Sequence, residues 1–492
     1  MTNVSLSAGL RAVLSGGGAN HAIQFGERWY SWSELHETWQ AVEALLDSAG
    51  VPMDAALAFV ARSRVQHAAV ILGAFSGERT LSMIYALQSP TVIARDITGL
   101  NAAAVIADRD DWTPEAIAAA RGAGSAGISI SSAGRNIRVE LVAGLERAGP
   151  GPHRPAGGHD IEVLSSGTTG TPKRVRLPVQ AFTRAVASMT LGDDSQSAEV
   201  SVLPFPFSSI GGLLGLTGGA WLRQRMVLLE KFSVEKYVEA VRTYKIKSMG
   251  VSGSMYRLIL AAKVPRESLA SLEYAFGGSE PLEPEVMKTF EETYGVPLLW
   301  GYGATEYAGT VLAWTPALRK EFGLAKQGSV GRPLAGAEVR VIDEDTGREV
   351  PRGAQGNLEV RVDVLGPDWI RSTDLAVMDE DGFVFLHGRG DRAINRGGFK
   401  VLPERVAEAL RLHPAVLDAA VIGLTDPILG QVPVAVVECR PDTAAPAAEE
   451  LQQVVRDNLP SHHVPKRVLV VDRLPRTASL KVELANLHKL FE

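Results

Sequence analysis

The sequence predicts an α/β protein: a large N-terminal domain of mixed and parallel sheets with helices, followed by a small α+β C-terminal domain. Three observations predict it. Helix-like and strand-like segments alternate through roughly the first 390 residues, the pattern of sheets joined by crossover helices. The chain has 492 residues, room for about three domains of ~150 residues, or one large composite plus a small one. Roughly the last hundred residues read helix, strand, strand, helix, strand, a set that closes a small α+β domain.

The elements follow in order. Glu283-Pro284 opens a helix whose Val286, Phe290 and Tyr294 recur every four residues on one face, and Gly295 stops it. Val296–Trp300 then reads as a strand feeding a loop over Gly301–Glu306. Polar groups at such a strand end sit where open sheets bind ligands. Asp381-Gly382 is a hairpin turn, and the hairpin can fix the frame from which Asp374 faces a ligand. The HGRGD run ending at Asp391 interrupts two strand-like stretches, so the domains are expected over 1–388 and 389–492. Beyond it, Pro403–Leu412 reads as a helix with Pro in its first turn and Pro414 past its end. Val416–Leu424 and Val432–Cys439 are strands, Glu449–Leu459 is a second helix and Arg467–Val471 the last strand.

Composition excludes several classes. The chain carries 50 basic and 56 acidic residues, a net charge of −6, which argues against nucleic acid as partner while permitting a local anion site. One cysteine, Cys439, excludes an internal disulfide framework and a multi-cysteine zinc site. The apolar stretches Ala68–Phe75 and Ile210–Leu222 are too short or too glycine-broken to span a bilayer. The amino terminus lacks a signal-peptide layout, so a cytoplasmic location is expected.

Four segments carry chemistry. In Leu164–Lys173 (LSSGTTGTPK), glycines Gly167 and Gly170 let successive N–H groups point into one concavity. The hydroxyls of Ser165, Ser166, Thr168 and Thr169 and the ammonium of Lys173 surround the same space, a composition suited to phosphate. It lacks the Gly-Lys-Ser/Thr ending of a Walker A loop. In Gly301–Glu306 (GYGATE), the Glu306 carboxylate can hold a hard divalent cation, and Tyr302 beside Gly303 offers an open face to a purine. Around Ser372-Thr373-Asp374 and Gly388–Asp391, an Asp can accept from two vicinal hydroxyls, as ribose presents. In Arg476–Lys481 (RTASLK), nothing local distinguishes Lys481 from a solvated lysine.

Their joint order changes that reading. LSSGTTGTPK, GGSEPL (Gly277–Leu282), GYGATE, STD, GRGD with RGGFKV, and PRTASLK, read in this sequence, resemble the adenylate-forming superfamily of acyl- and aryl-CoA synthetases, luciferases and peptide-synthetase adenylation domains. The resemblance runs from about Gly26 to Lys481, with GSVGRP (Gly328–Pro333) and GNLEVR (Gly356–Arg361) in support. It implies attack of a carboxylate on the α-phosphate of ATP, release of pyrophosphate, and displacement of AMP by a thiol. ATP and Mg²⁺ are then required, with CoA as co-substrate. Ser165–Lys173 would close over the β- and γ-phosphates. Gly277, Gly278, Ser279, Glu280 and Tyr302 would frame adenine, and Thr305 would touch the α-phosphate. Glu306 would bind Mg²⁺ and Asp374 the ribose, with Arg389 assisting. Lys481 would act at the reacting centre. Asp391 matches a hinge about which the C-terminal domain rotates, and Gly397, Gly398 and Phe399 would then face the tunnel of a pantetheine arm.

The resemblance implies an acid pocket around Phe205–Leu213, Ala275–Gly278 and Ala304–Thr310, with Phe207, Ser208, Ser209, Gly211, Gly212, Ala304, Tyr307, Ala308 and Gly309 lining it. Amino-acid-activating members carry an Asp where Ser208 stands, and a buried ammonium without a partner is costly. An amino acid is therefore disfavoured, and Phe205, Phe207 and Tyr307 with small Gly and Ala neighbours suit an aromatic or aliphatic acid. Other departures are Leu480, where the family usually has Gly; Arg174, also at a Gly position; Val179, where many members have His; and Asn395, at a common Lys position. Two alternatives stay open. The adenylate could pass to a carrier-protein thiol or an amine, or the chain could be a silent nucleotide-binding regulator. A Gly-x-Ser-x-Gly hydrolase elbow is absent.

Overall fold

The computed structural model describes residues 5–133, 136–151, 153–156, 158–165, 173–189, 200–278, 280, 282, 284–397, 399–441, 443–477 and 480–491. Among them the largest sheet runs in the spatial order Asn136–Leu141, Ala126–Ala133, Ala104–Asp108, Leu57–Ala61, Leu81–Tyr85, Asp160–Ser165 and Lys173–Pro178. Its inner pairs are parallel and its two edge pairs antiparallel. Leu57–Ala61 is buried at every position, as continuous apolar strands covered on both faces should be. The helix Val65–Ser76 is buried along its whole length, so the apolar run Ala68–Phe75 is core. No described helix is long and apolar enough to cross a membrane.

The sheet that positions the site has the order Ser248–Ser252, Tyr274–Gly278, Leu298–Ala304, Gly309–Ala313 and Arg332–Pro333. Its first three strands are parallel, so their carboxyl ends lie on one edge. The helix Pro284–Tyr294 leads into the third of them, buries Phe290 and Tyr294, and ends before Gly295 at φ +72°.

The loop expected over Gly301–Glu306 is mostly strand. Leu298–Ala304 continues through it and pairs antiparallel with Gly309–Ala313, leaving Thr305–Tyr307 as one tight turn. Glycine makes the pairing possible. A Cβ on Gly303 would lie 2.2 Å from the Gly309 carbonyl oxygen.

Two further four-stranded sheets complete the larger part. His21–Phe25 and Arg28–Ser31 join Val200–Leu203 and Arg225–Leu228, while Ala337–Ile342, Gln355–Val362, Ile370–Met378 and Val384–Arg389 form an antiparallel sheet. In the latter, Ile370–Met378 and Val384–Arg389 are the arms of the Asp381-Gly382 hairpin, and Asp374 lies opposite Arg389.

The small C-terminal part holds the helices Pro403–Arg411 and Ala448–Asn458 and the strands Val416–Asp426, Gly430–Cys439 and Arg467–Val471. It packs around its own core, including Val406, Leu410, Val421, Val437, Leu451 and Val455. A short hairpin, Ile394–Arg396 with Phe399–Val401, precedes it.

Candidate active site

Three parallel strand ends supply the first group of side chains. Ser252 ends its strand and caps the helix Gly253–Ala261 by accepting from the Met255 N–H. The next strand ends at Gly278, and Glu280 just beyond turns its carboxylate onto that same helix start. It accepts from the Ser254 N–H, and from the Ser254 hydroxyl at 3.0 Å. A carboxylate is favoured at a helix N-terminus by the unpaired N–H groups there. The resemblance implies that Glu280 helps to frame adenine, and in the structure its carboxylate is bound to Ser254. Gly277 and Gly278 are partly exposed, and a Cβ on Gly277 would meet the Trp300 ring at 2.4 Å.

The third strand end delivers Tyr302, Thr305 and Glu306. The Tyr302 hydroxyl donates to Asp374 Oδ2 at 2.6 Å, across 72 residues of sequence. Burial, Tyr307 and Asp374 together hold the Tyr302 phenol well above the usual range, so it stays a donor. Burial pushes the Tyr307 phenol up to about 12, against the opposing pull of the Tyr302 and Ser372 side chains. The Ser372 hydroxyl donates to the Leu358 carbonyl at 2.8 Å and accepts from the Asp374 N–H at 3.1 Å. These bonds fix the backbone that carries Asp374. Arg389 reaches the Thr373 hydroxyl and pairs with Asp391 at 3.0 Å. Glu306 is exposed on the turn Thr305–Tyr307.

The last contributor comes from the far end of the chain. Lys481 is half-buried. Burial lowers its ammonium below the usual lysine range, the Glu280 carboxylate pulls it back, Arg392 lowers it again and Glu306 raises it. Lys481 thus sits in the field of both N-terminal carboxylates.

The remaining expected residues divide. Ser166, Gly167, Thr168, Thr169, Gly170, Ser279 and Gly398 lie outside the described residues. The strands flanking that glycine-rich segment pair Ser165 opposite Lys173. In the expected acid pocket, Phe207, Gly212, Tyr307, Ala308 and Gly309 are buried. Phe207 packs in the N-terminal core, and its N–H donates to the Ser63 hydroxyl at 3.4 Å. Gly212 packs so closely that a Cβ would lie 2.0 Å from the Pro206 carbonyl oxygen. Ser208, Ser209, Gly211 and Ala304 are partly exposed, although the Ser209 hydroxyl is engaged in capping the helix Ile210–Trp221. Gly397 and Phe399 lie on the short C-terminal hairpin, where Phe399 is exposed and stacks on His462 at 4.6 Å.

Sequence reasoning missed Arg184, Ser254 and the partners of Arg476. Arg184 reaches from the helix Val179–Met189 to the carbonyls of Thr310 and Tyr307, at 3.2 and 3.4 Å, and braces the turn that bears Glu306. A lone Arg on an amphipathic helix carries no signal for such a role. Among the described residues no group of three or more His, Cys, Asp and Glu forms a metal cage.

Residues 10–366 match the family description AMP-binding enzyme, and residues 405–481 match the AMP-binding enzyme C-terminal domain. The chain belongs to the adenylate-forming superfamily. Among curated relatives of this superfamily, 2-succinylbenzoate–CoA ligase of Bacillus mycoides is 28% identical over 345 residues, covering 67% of this chain and 70% of that one. 4-Coumarate–CoA ligase 1 of Petroselinum crispum is 30% identical over 355 residues, covering 66% of this chain and 64% of the relative, so under two-thirds of that protein is spanned. The amide bond synthetase McbA from Marinactinospora thermotolerans superposes with a TM-score of 0.80 at 26% identity, over 99% of this chain and 100% of that one. The expected α/β class, with a large N-terminal and a small C-terminal domain, agrees with these adenylate-forming folds.

Proposed function

We propose that this protein activates a small aromatic or aliphatic carboxylic acid with ATP, forming an acyl-adenylate and pyrophosphate, and then transfers the acyl group to the thiol of CoA. One observation carries the reading: Lys481, 175 positions beyond Glu306 in the chain, lies in the field of Glu280 and Glu306, while Tyr302, just before the turn that bears Glu306, holds Asp374.

In this reading Asp374 receives the ribose hydroxyls, with its position fixed by Tyr302 and Ser372. Tyr302 and the Gly277–Gly278 backbone border the adenine. Thr305 donates to the α-phosphate. Glu306 fits a magnesium ion that arrives with the nucleotide, since Mg²⁺ commonly takes one or two carboxylates and completes its shell with phosphates and water. Bound there, the ion offsets phosphate charge. Lys481 points its ammonium at the oxygens joining carboxylate and α-phosphate. Negative charge grows on those oxygens as the new bond forms, so a desolvated cation aimed at them lowers the barrier selectively. The 1–388 part supplies the pocket and the 389–492 part supplies Lys481. A rotation about Asp391 would bring Gly397–Phe399 to the site for thiol transfer.

Ser208, in place of a pairing carboxylate, supports an acid without an α-ammonium. An amine acceptor is the second reading, favoured by Asn395 and by the likeness to an amide bond synthetase. The deciding experiment is a pyrophosphate-release screen over aryl, short-chain and long-chain acids, with and without CoA. Acid-dependent release that yields a CoA thioester supports the first reading. Release with products only when an amine is present supports the second, and ATP binding without release under any acid removes both.

A further inference from the structure

We propose that Arg476 is a positioning residue that latches the Lys481-bearing tail onto the N-terminal part of the molecule through Ser254. The placement is one continuous chain of bonds. Arg476 Nη2 pairs with Asp418 at 2.6 Å and with Glu438 at 3.2 Å, both acids being buried in the C-terminal sheet. Arg476 Nη1 donates to the Leu480 carbonyl at 3.0 Å and, across 222 residues of sequence, to the Ser254 hydroxyl at 3.2 Å. That hydroxyl in turn donates to Glu280. A guanidinium offers five N–H groups in a fixed fork, so one side chain can bind the sheet, the tail and the facing domain together. Lysine cannot reproduce that geometry.

Two independent features point the same way. Buried Arg257, on the helix Gly253–Ala261 that carries Ser254, adds a second positive charge to the field around Asp418. Leu480, adjacent to Lys481, has φ +63° and packs its side chain against the N-terminal core that contains Met255 and Tyr256. An L-residue rarely adopts that backbone conformation. Glycine would adopt it freely but would have no side chain to insert. The tail is therefore gripped on both sides of its turn, by an ionic fork at Arg476 and an apolar plug at Leu480.

The kinetic half of the test rests on the proposed adenylation, and the other half does not. Hydrogen–deuterium exchange on the ligand-free full chain compares wild type with Ser254→Ala, Arg476→Lys and Arg476→Ala. Ser254→Ala removes the acceptor across the domain boundary and leaves Arg476 its bonds to Asp418, Glu438 and Leu480. The expected result is at least threefold faster exchange, in that variant and in Arg476→Lys, in peptides covering 474–486 and 252–258, with Val432–Cys439 unchanged. In pyrophosphate exchange both variants should lose three- to tenfold in kcat with KM for ATP within twofold. Acyl transfer from a preformed adenylate should not slow. Arg476→Ala could loosen the tail on its own, so Ser254→Ala decides. Unchanged exchange in both segments for Ser254→Ala overturns the latch. Equal slowing of adenylation and transfer also overturns it. If wild type shows no acid-dependent pyrophosphate exchange, the proposed function fails, and deuterium uptake alone judges the latch.

Discussion

Gly303→Ala puts a methyl group where two backbones already touch. The added Cβ would lie 2.2 Å from the Gly309 carbonyl oxygen and 2.7 Å from the Thr310 Cα, roughly 1 Å inside ordinary carbon contact. Neither neighbour is a side chain that can swing aside. Relief must come from moving Leu298–Ala304 away from Gly309–Ala313, and the turn Thr305–Tyr307 joins those strands. A shift of about 1 Å in a catalytic group can cost on the order of 10²-fold in rate. The expected outcome is therefore a kcat for acid-dependent pyrophosphate release about 10²-fold below wild type, in protein whose circular dichroism is unchanged. Gly99→Ala is the control. It lies in the helix Pro90–Leu100 with no heavy atom within 4 Å of the added Cβ, and alanine there should raise stability by up to ~1 kcal/mol and leave turnover alone. A Gly303→Ala enzyme at wild-type kcat would refute the view that this glycine sets the position of Glu306.

Other outcomes follow from the same geometry. Lys481 is a cation only while protonated, so adenylation should decline as pH rises through its lowered pKa; because Glu306 raises that pKa, Glu306→Gln at saturating magnesium should move the decline to lower pH. A shift to higher pH in the rate profile would count against that influence. Tyr302→Phe removes the 2.6 Å bond to Asp374, a loss of about 1–2 kcal/mol, so calorimetry should find ATP binding roughly 5- to 30-fold weaker. Asp108 is buried against His67 at 3.2 Å and Arg64 at 3.0 Å. Although burial would raise its carboxyl, His67, the Asp110 N–H and Arg64 hold it well below the usual range. Its stabilisation is therefore present above the unfolded value near ~3.9 and lost as pH falls below it. Asp108→Asn should destabilise by about 1.5–3 kcal/mol at pH 7, and thermal melts should show that gap closing below about pH 4. Asp391→Pro should spare adenylate formation and stop thioester formation, and loss of both half-reactions in single-turnover assays would remove the hinge.

Much of the fold was legible because it is local. The four-residue spacing of Val286, Phe290 and Tyr294 fixes a buried helix face regardless of what it meets, and in the C-terminal part the prolines that bound Pro403–Arg411 and the apolar runs of the strands are equally local. Leu298–Ala304 was harder to read. Gly301 and Gly303 lower strand propensity, and only the facing backbone of Gly309–Ala313 makes that stretch a strand. The site divides the same way. Glu306, Asp374 and Lys481 stood out as members of an ordered motif set, whereas the bonds that position them join residues 72 and 222 positions apart. No periodicity reports such pairs. Leu480 lies between these cases: its departure from glycine is visible in the sequence, but its meaning needs the backbone angle and the core it enters.

The charge balance around Lys481 bears on how one lysine can serve catalysis rather than merely binding. A cation fully satisfied in the resting protein would gain little from negative charge that develops later, because only interactions that strengthen in the transition state raise the rate. Here burial and Arg392 lower the ammonium below an ordinary lysine, while Glu280 and Glu306 pull it back. The two carboxylates therefore offset its burial incompletely. Glu280 is also shared with the Ser254 N–H and hydroxyl, which draws part of its charge toward the helix start. What remains is a partly uncompensated cation held by the fold, and new negative charge on the reacting oxygens would meet it without first reorganising water.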